Sequence, residues 1–361
     1  MKTFKKIVFV LNIIIAAMLI MVYFSVHISP EKTVAVALLP LIYVALVIIN
    51  LVFAIFWLIF KWKYSLISFG AIVAGVKFVN LIFPVMAMFS SQQASADLKI
   101  MTYNVKIFGL YDWENNSQIK TNIFRIIDAE DPGIICLQEA YWNTSQRNFI
   151  TLDSIKLLLD AEYCFKAVMA TAVGGQNFGL AIVSRYPIVN SFSHKFEDVF
   201  NGFIYNDILI NEDTVRVYNL HLQSIQLNQN DYTLIEEFSE SGDNTKMKIV
   251  LKKYLSSLTK RSAQVEMVRA SIDSCDYPVF ICGDFNDGPL SYAYFTIAEG
   301  LKDSFVTDGK YPGYTWDNFN IKQRIDYVLY DKKFDCVFHK VISEHYSDHF
   351  AVVAGFDLEG D

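Results

Sequence analysis

Ile281-Cys282-Gly283-Asp284-Phe285-Asn286-Asp287 is the stretch on which the reading of this chain turns. The apolar run from Pro278 to Cys282 predicts a buried strand, and Gly283 lets the backbone turn sharply where that strand ends. Asp284 and Asn286 follow at once. Two residues apart in extended chain, they point to the same side, so a carboxylate and an amide converge on one spot. The rim where strands of an α/β sheet end is where such side chains meet a ligand while the strand holds them in place. An Asp/Asn turn is the plain alternative, since both residues favour turns. Whether the stretch is more than a turn depends on what the other strand ends carry.

Several carry the same construction. Leu98 to Val105 alternates like a strand and stops near Asn104. A helical spacing from about Ser117 to Glu130 is closed by Asp131-Pro132-Gly133. The apolar run Ile134 to Leu137 then delivers Gln138-Glu139. A second helix is expected over Ser145 to Leu159, and Leu180 to Ser184 reads as another buried strand. Phe203 to Ile210 and Thr214 to Leu222 form a strand pair whose second member ends around His221. The aromatics Phe196, Phe200, Phe203 and Tyr205 read as strand packing rather than a finger for the membrane. Gln223 to Met247 is polar and only weakly periodic, an insertion. A long helix over about Lys246 to Asp273 carries a run of Lys and Arg, read as a solvated face. Ser291 to Ala298 is a further helix. Arg324 to Tyr330 returns as a strand with Asp326 near its start, and Ser347-Asp348-His349 precedes a last strand, Ala351 to Phe356.

So many polar residues at strand ends leave little room for a purely structural account. Carboxylates with amide donors and two imidazoles suit a hard cation such as Mg²⁺, which takes one or two carboxylates, water and a substrate phosphate. Zinc would favour more His or Cys. The five cysteines lack metal-ligand spacing, and they read as structural fillers.

The order Tyr-Asn-Val, Gln-Glu, Leu-His-Leu, Gly-Asp-Phe-Asn, Arg-Ile-Asp-Tyr, Ser-Asp-His over about Leu98 to Phe356 resembles the endonuclease/exonuclease/phosphatase superfamily. That group includes pancreatic-type deoxyribonuclease, AP endonucleases, inositol polyphosphate 5-phosphatases and neutral sphingomyelinases. The resemblance implies a four-layer α/β sandwich, two packed mixed β-sheets flanked by helices, with the site at their shared rim. It implies Glu139 as principal metal ligand, Asn104 beside it and Asp348 assisting. It implies Asp284 orienting or activating water, Asn286 and His221 holding phosphate oxygens, and His349, oriented by Asp326, at the scissile phosphate. Mg²⁺, with Mn²⁺ as a substitute, is the implied cofactor. AP endonucleases carry Asp two residues after the first Asn, where this chain has Lys106, which argues against abasic-site DNA. No stretch matches the inositol-phosphatase specificity motifs.

The rest of the 361-residue chain is of another kind. Hydrophobic residues make up 53% of it, and the excess lies in the first ninety residues. Ile7 to Val26 is twenty residues without a charge and Val34 to Phe60 twenty-seven, each long enough to cross a bilayer. Ser65 to Phe89, interrupted by Lys77, Asn80 and Pro84, is the third candidate span. The expected organisation is therefore a membrane anchor over 1–90 with about three transmembrane helices (7–26, 34–60, 65–89), a linker over 91–97 and a catalytic domain over 98–361. Lys2, Lys5 and Lys6 precede the first span, and Lys61 and Lys63 lie between the second and third. The positive-inside rule puts both groups in the cytoplasm. Three spans then leave a multi-pass protein of the cell membrane with its catalytic domain outside the cytoplasm.

Seven basic residues and one acidic residue precede position 97, which leaves 24 basic against 37 acidic beyond it, a net charge of −13. Such a balance argues against strong non-specific nucleic-acid binding. The expected activity is hydrolysis of a phosphodiester, endonuclease-like, with nucleic acid or phospholipid as substrate. A sphingomyelinase-like lipid phosphodiesterase and a non-catalytic membrane binding module are the alternatives. No protein partner can be inferred.

Overall fold

The computed structural model describes residues 2–85, 87, 95–112, 114–143, 151–197, 199–225, 231, 244–318 and 321–358. The 91–97 linker therefore lies mostly outside the described residues, as do residues 145–150 of the expected second helix and most of the insertion before Met247.

Period-2 alternation builds the sandwich. In β1 (Leu98–Asn104) the side chains of Leu98 and Ile100 face a core between two sheets, while Met101 and Tyr103 face outward onto a helical layer. In β8 (Val279–Asp284), Phe280 and Cys282 face the same inner core, and Ile281 faces the opposite outer layer. Both faces of β8 are covered, which is why it reads as a continuous apolar run.

The first sheet joins six strands in the order β13 (Asp335–Ile342), β14 (Ala351–Asp357), β1, β2 (Ile134–Asn143), β4 (Gln176–Ser184), β3 (Tyr163–Ala172). The second has the order β5 (Ile188–Lys195), β6 (Gly202–Ile210), β7 (Asp213–His221), β8, β12 (Asp326–Tyr330), β9 (Lys302–Asp303). Each sheet is mixed: β1 and β2 are parallel, as are β7 and β8, and the remaining pairs are antiparallel. A short hairpin, β10 (Trp316–Asn318) with β11 (Ile321–Gln323), stands apart. Helices α5 (Asn116–Glu130) and α6 (Leu152–Leu158) cover the first sheet through Ile123, Ile126, Ile127 and Ile155. Helices α7 (Asn244–Asp273) and α8 (Tyr292–Ile297) cover the second through Val265, Val268, Tyr294 and Ile297. This is the four-layer sandwich expected from the sequence.

Two N-terminal helices are long and apolar enough to cross a membrane, α1 (Lys2–Ser25) and a segment, Val36–Phe60, made of a 3-10 turn and α2 (Tyr43–Phe60). A third span exists among the described residues only if α3 (Trp62–Ala74) and α4 (Val76–Ile82), bent by 57°, count as one. The bend falls at Gly75, where an added Cβ would lie 2.0 Å from the Tyr23 ring and would push that ring aside. Lys5 lies over Phe60 and Lys61 over Tyr64, so the basic residues gather at one end of the bundle.

The sandwich sits at the other end. Phe295 of α8 stacks on Phe78 of α4 and meets His27 edge-on, with Lys77 5.4 Å from its ring centre. Phe83 stacks on Tyr311. Buried Arg324 pairs with Asp303 at 2.7 Å and donates to the Leu81 carbonyl at 3.0 Å. The outer core of the second sheet continues without a break into Leu19, Val22, Leu46 and Leu81 of the anchor. Lys77, costly inside a bilayer, lies instead at the junction with the domain.

Candidate active site

Strand register assembles the site. Across three neighbouring strands of the second sheet, His221 of β7 pairs with Asp284 of β8, and Asp284 pairs with Asp326 of β12. From the first sheet, Asn104 ends β1 opposite Gln138 of β2. A bulge in β2 between Leu137 and Ala140 gives Glu139 a left-handed backbone, φ +48°, which turns its side chain out of the alternation and into the cleft. Gly283, φ +136°, is required where β8 presses on β7: a Cβ there would lie 2.1 Å from the Leu220 carbonyl oxygen.

All eight residues singled out from the sequence meet at this rim. Asn104 Nδ2 donates to Asp284 Oδ2 at 3.1 Å and, more weakly, to Glu139 Oε1 at 3.4 Å. His221 Nε2 lies 3.8 Å from Glu139 and 3.7 Å from Asp284. Asn286 donates its backbone N–H to Asp284 Oδ1 at 2.8 Å and its amide to Asp284 Oδ2 at 3.2 Å and to the Leu222 carbonyl at 2.9 Å. His349 Nδ1 donates to Asp326 Oδ2 at 2.9 Å, and its Nε2 faces Asp284 Oδ2 at 3.6 Å. Asp348 is ion-paired with Lys106 at 2.8 Å.

Four residues in the walls were not picked out as site residues from the sequence. The Thr315 hydroxyl accepts from the backbone N–H groups of Ile325 and Asp326, fixing the start of β12. Ser347 donates to the Asn104 carbonyl at 2.8 Å, tying the last loop to β1. Lys106 and Asp348 are 242 residues apart, and no local pattern links them. Beneath the cleft, Asn219 bridges the sheets by donating to the carbonyls of Leu137 and Ala181, and it accepts from Gln138. The basic run of α7 is also less solvated than its spacing suggests: Arg261 is 1% exposed and pairs with Asp287 at 3.0 Å.

Burial and neighbouring charge move these groups in different directions. Burial raises Asp284 to about 6, against the pull of His349. For His349 burial works against the charged ring, but Asp326 and Asp284 outweigh it and raise the imidazolium to about 10. Burial lowers His221, which is neutral near pH 7. Burial would raise Asp348, but His349 and Lys106 hold it below the usual carboxylate range. Glu139 is raised by its place in the cleft, a shift that solvent limits, since 40% of its side chain is exposed.

Four carboxylates around one cleft, with Lys106 as the ammonium among them, leave an excess of negative charge that fits a bound divalent cation. Among the described residues, the acidic and imidazole ligand atoms lying within 4.8 Å of one another belong to Asp284, Asp326 and His349. The imidazole of that group is already engaged by Asp326. Glu139 is the carboxylate with the weakest protein partners and the most open face.

A sandwich of two mixed sheets with carboxylates, amides and imidazoles on the shared rim defines the phosphoesterase fold. Residues 101–349 match the Endonuclease/Exonuclease/phosphatase family, and the chain belongs to that family. Residues 5–82 match a domain of unknown function (DUF8431). An endonuclease/exonuclease/phosphatase family protein from Leptotrichia buccalis is similar in structure, 20% identical over 72% of this chain and 99% of its own, with a TM-score of 0.51. A humanized TDP2 of D. rerio is 16% identical over 72% of this chain and 98% of its own, TM-score 0.51. The human Nocturnin catalytic domain, solved with bound sulfate, is 16% identical over 75% of this chain and 98% of its own, TM-score 0.51. At such identities the likeness is one of fold. No curated protein matches the chain in sequence.

Proposed function

We propose that the chain is a membrane-anchored, metal-dependent phosphodiesterase. The observation that carries this reading is the facing pair of a carboxylate raised to about 6 and an imidazolium raised to about 10, 3.6 Å apart on one rim. Glu139 would hold Mg²⁺, or Mn²⁺ in its place, with Asn104 and Asp348 at its side. The cation would neutralise charge on the phosphate oxygens. Asp284, with its pKa near neutrality, is suited to take a proton from water. The water oxygen bonds to phosphorus as the bond from phosphorus to the leaving oxygen breaks. Asn286 and His221 hold the non-bridging oxygens. His349, fixed by Asp326, stabilises the developing charge and supplies a proton to the leaving oxygen. The proton on Asp284 then passes to His349, which resets both groups, and the products are a phosphomonoester and an alcohol.

The anchor occupies residues 1–90 in this reading, and the catalytic domain 98–361. Basic residues at one end of the bundle and the sandwich at the other support a cleft on the extracytoplasmic side of the cell membrane. Nucleic acid and phospholipid are the substrates in contention.

The test uses the full chain in detergent with bis(p-nitrophenyl) phosphate and Mg²⁺. Glu139→Ala and Asp284→Asn are expected to lower kcat by about 10²–10⁴ with unchanged melting curves, and chelation to abolish turnover. Full activity in either variant would overturn the assigned roles. A wild-type chain that binds but never cleaves phosphodiesters would instead be a binding module.

A further inference from the structure

Beside the catalytic cleft lies a cavity of about 600 Å³ whose walls come from both halves of the chain. That size is ordinary for a small-molecule site, about 300–1,000 Å³. The anchor contributes apolar walls, among them Leu41, Val44 and Phe83; the sandwich contributes Leu258, Leu290 and Asn286. Asn286 is shared with the active site, where it donates to Asp284. The cavity thus runs from the membrane helices to a residue that touches the proposed water-activating carboxylate.

Two buried polar atoms in its walls lack hydrogen-bond partners. Arg261, buried in the wall near Asn286, uses Nε for Asp287 and Nη1 for the Gln223 carbonyl, but its Nη2 has no hydrogen-bond partner. The buried hydroxyl of Tyr43, also in the wall, has none either. Unpaired buried donors cost free energy unless something fills the space beside them. A cavity walled in part by apolar residues of the N-terminal helices, with a cationic donor also in its wall, suits an amphiphile. A nucleic acid would make no use of the apolar wall, and a domain of net charge −13 offers it little long-range attraction.

We propose that this cavity seats an acyl chain of a phospholipid, whose phosphodiester then reaches the cleft at Asn286, so that the substrate enters sideways from the bilayer. The proposal rests on the phosphodiesterase reading above. Its test uses the full chain in nanodiscs of phosphatidylethanolamine and phosphatidylglycerol doped with a phospholipid carrying a photoreactive acyl chain, with metal chelated. Crosslinks are expected at Leu41, Val44 or Phe83. Ala37, which lines the cavity from the N-terminal helical segment, is the position to fill. Ala37→Trp is expected to lower crosslinking, and hydrolysis of the same lipids with Mg²⁺ restored, by about tenfold, while bis(p-nitrophenyl) phosphate turnover is unchanged. Leu41→Trp, at a site 64% exposed, repeats the test where packing strain is slight. No crosslinks in the cavity, equal loss of both activities in both folded variants, or cleavage of plasmid DNA without cleavage of lipid would each overturn the proposal. Crosslinks without turnover of any diester would sink the phosphodiesterase reading and leave the lipid site standing.

Discussion

His339 of β13 illustrates how a single buried group writes pH dependence into the fold. Its Nδ1 meets the Ser304 hydroxyl at 2.9 Å, while its Nε2 is buried without a partner. Burial lowers the imidazole from 6.5 to about 4. The unfolded chain therefore binds more protons than the folded one between those values. Stability from this site is complete above pH 6.5 and is lost as pH falls toward 4, up to about 3 kcal/mol. His339→Gln keeps a partner for Ser304 but cannot ionise. Melting curves at pH 7 and pH 5 are expected to differ less in the variant than in the wild type, and an equal acid shift would exclude His339 as the source. The active-site residues differ from His339 in how legible they were. Asn104 ends a segment that alternates like a strand, and Glu139, Asp284 and Asn286 follow apolar runs, so these segments announced them. Thr315 and Ser347 act by capping backbone groups in irregular loops, and nothing in their neighbourhood marks that use.

Elements carry the next level of constraint. β8 lies against β7 so closely that Gly283 has no space for a Cβ and takes a φ that favours glycine. Gly283→Ala is expected to destabilise the chain by at least about 2 kcal/mol, read by denaturant titration, and to lower turnover because His221 and Asp284 share that register. A variant as stable as wild type would mean that the two strands can part without cost. Strands buried on both faces were readable as apolar runs, and the helix over Asn116–Glu130 through its isoleucine spacing. The strand β5 was not anticipated, because at the sheet edge Val189 and Phe192 stay exposed and alternation fades. Nor was β13, where Lys340 and His339 interrupt the apolar pattern. At the bend between α3 and α4 the Tyr23 ring packs on Gly75, a contact between segments about fifty residues apart that no local window contains.

At the scale of the whole molecule, anchor and sandwich form one packed unit. Arg324 bridges Asp303 and the Leu81 carbonyl, and the core of the second sheet runs on into the apolar N-terminal helices. For this reason the complete chain is the proper object of experiment; a domain cut at Asp97 would expose the face that α1 and α4 cover. A phosphatase reporter fused after Asp361 is expected to be active, and a reporter in the loop near Lys61 inactive. Inactivity at both positions would place the cleft in the cytoplasm and show that the bent helix pair does not cross, whereas the reverse pattern would invert the whole topology. The acidic balance and apolar N-terminus were plain from composition, whereas the direct docking of one on the other was not, since the short linker alone allows many orientations.

In the membrane-anchored reading proposed above, the contact between Arg324 and Leu81 also fixes a height. A cleft held at one level above the bilayer searches its surroundings in two dimensions, and the quantity that governs its encounter rate with a lipid is mole fraction in the surface rather than molarity in solution. Diluting the membrane with inert lipid would then slow the enzyme as adding buffer would not.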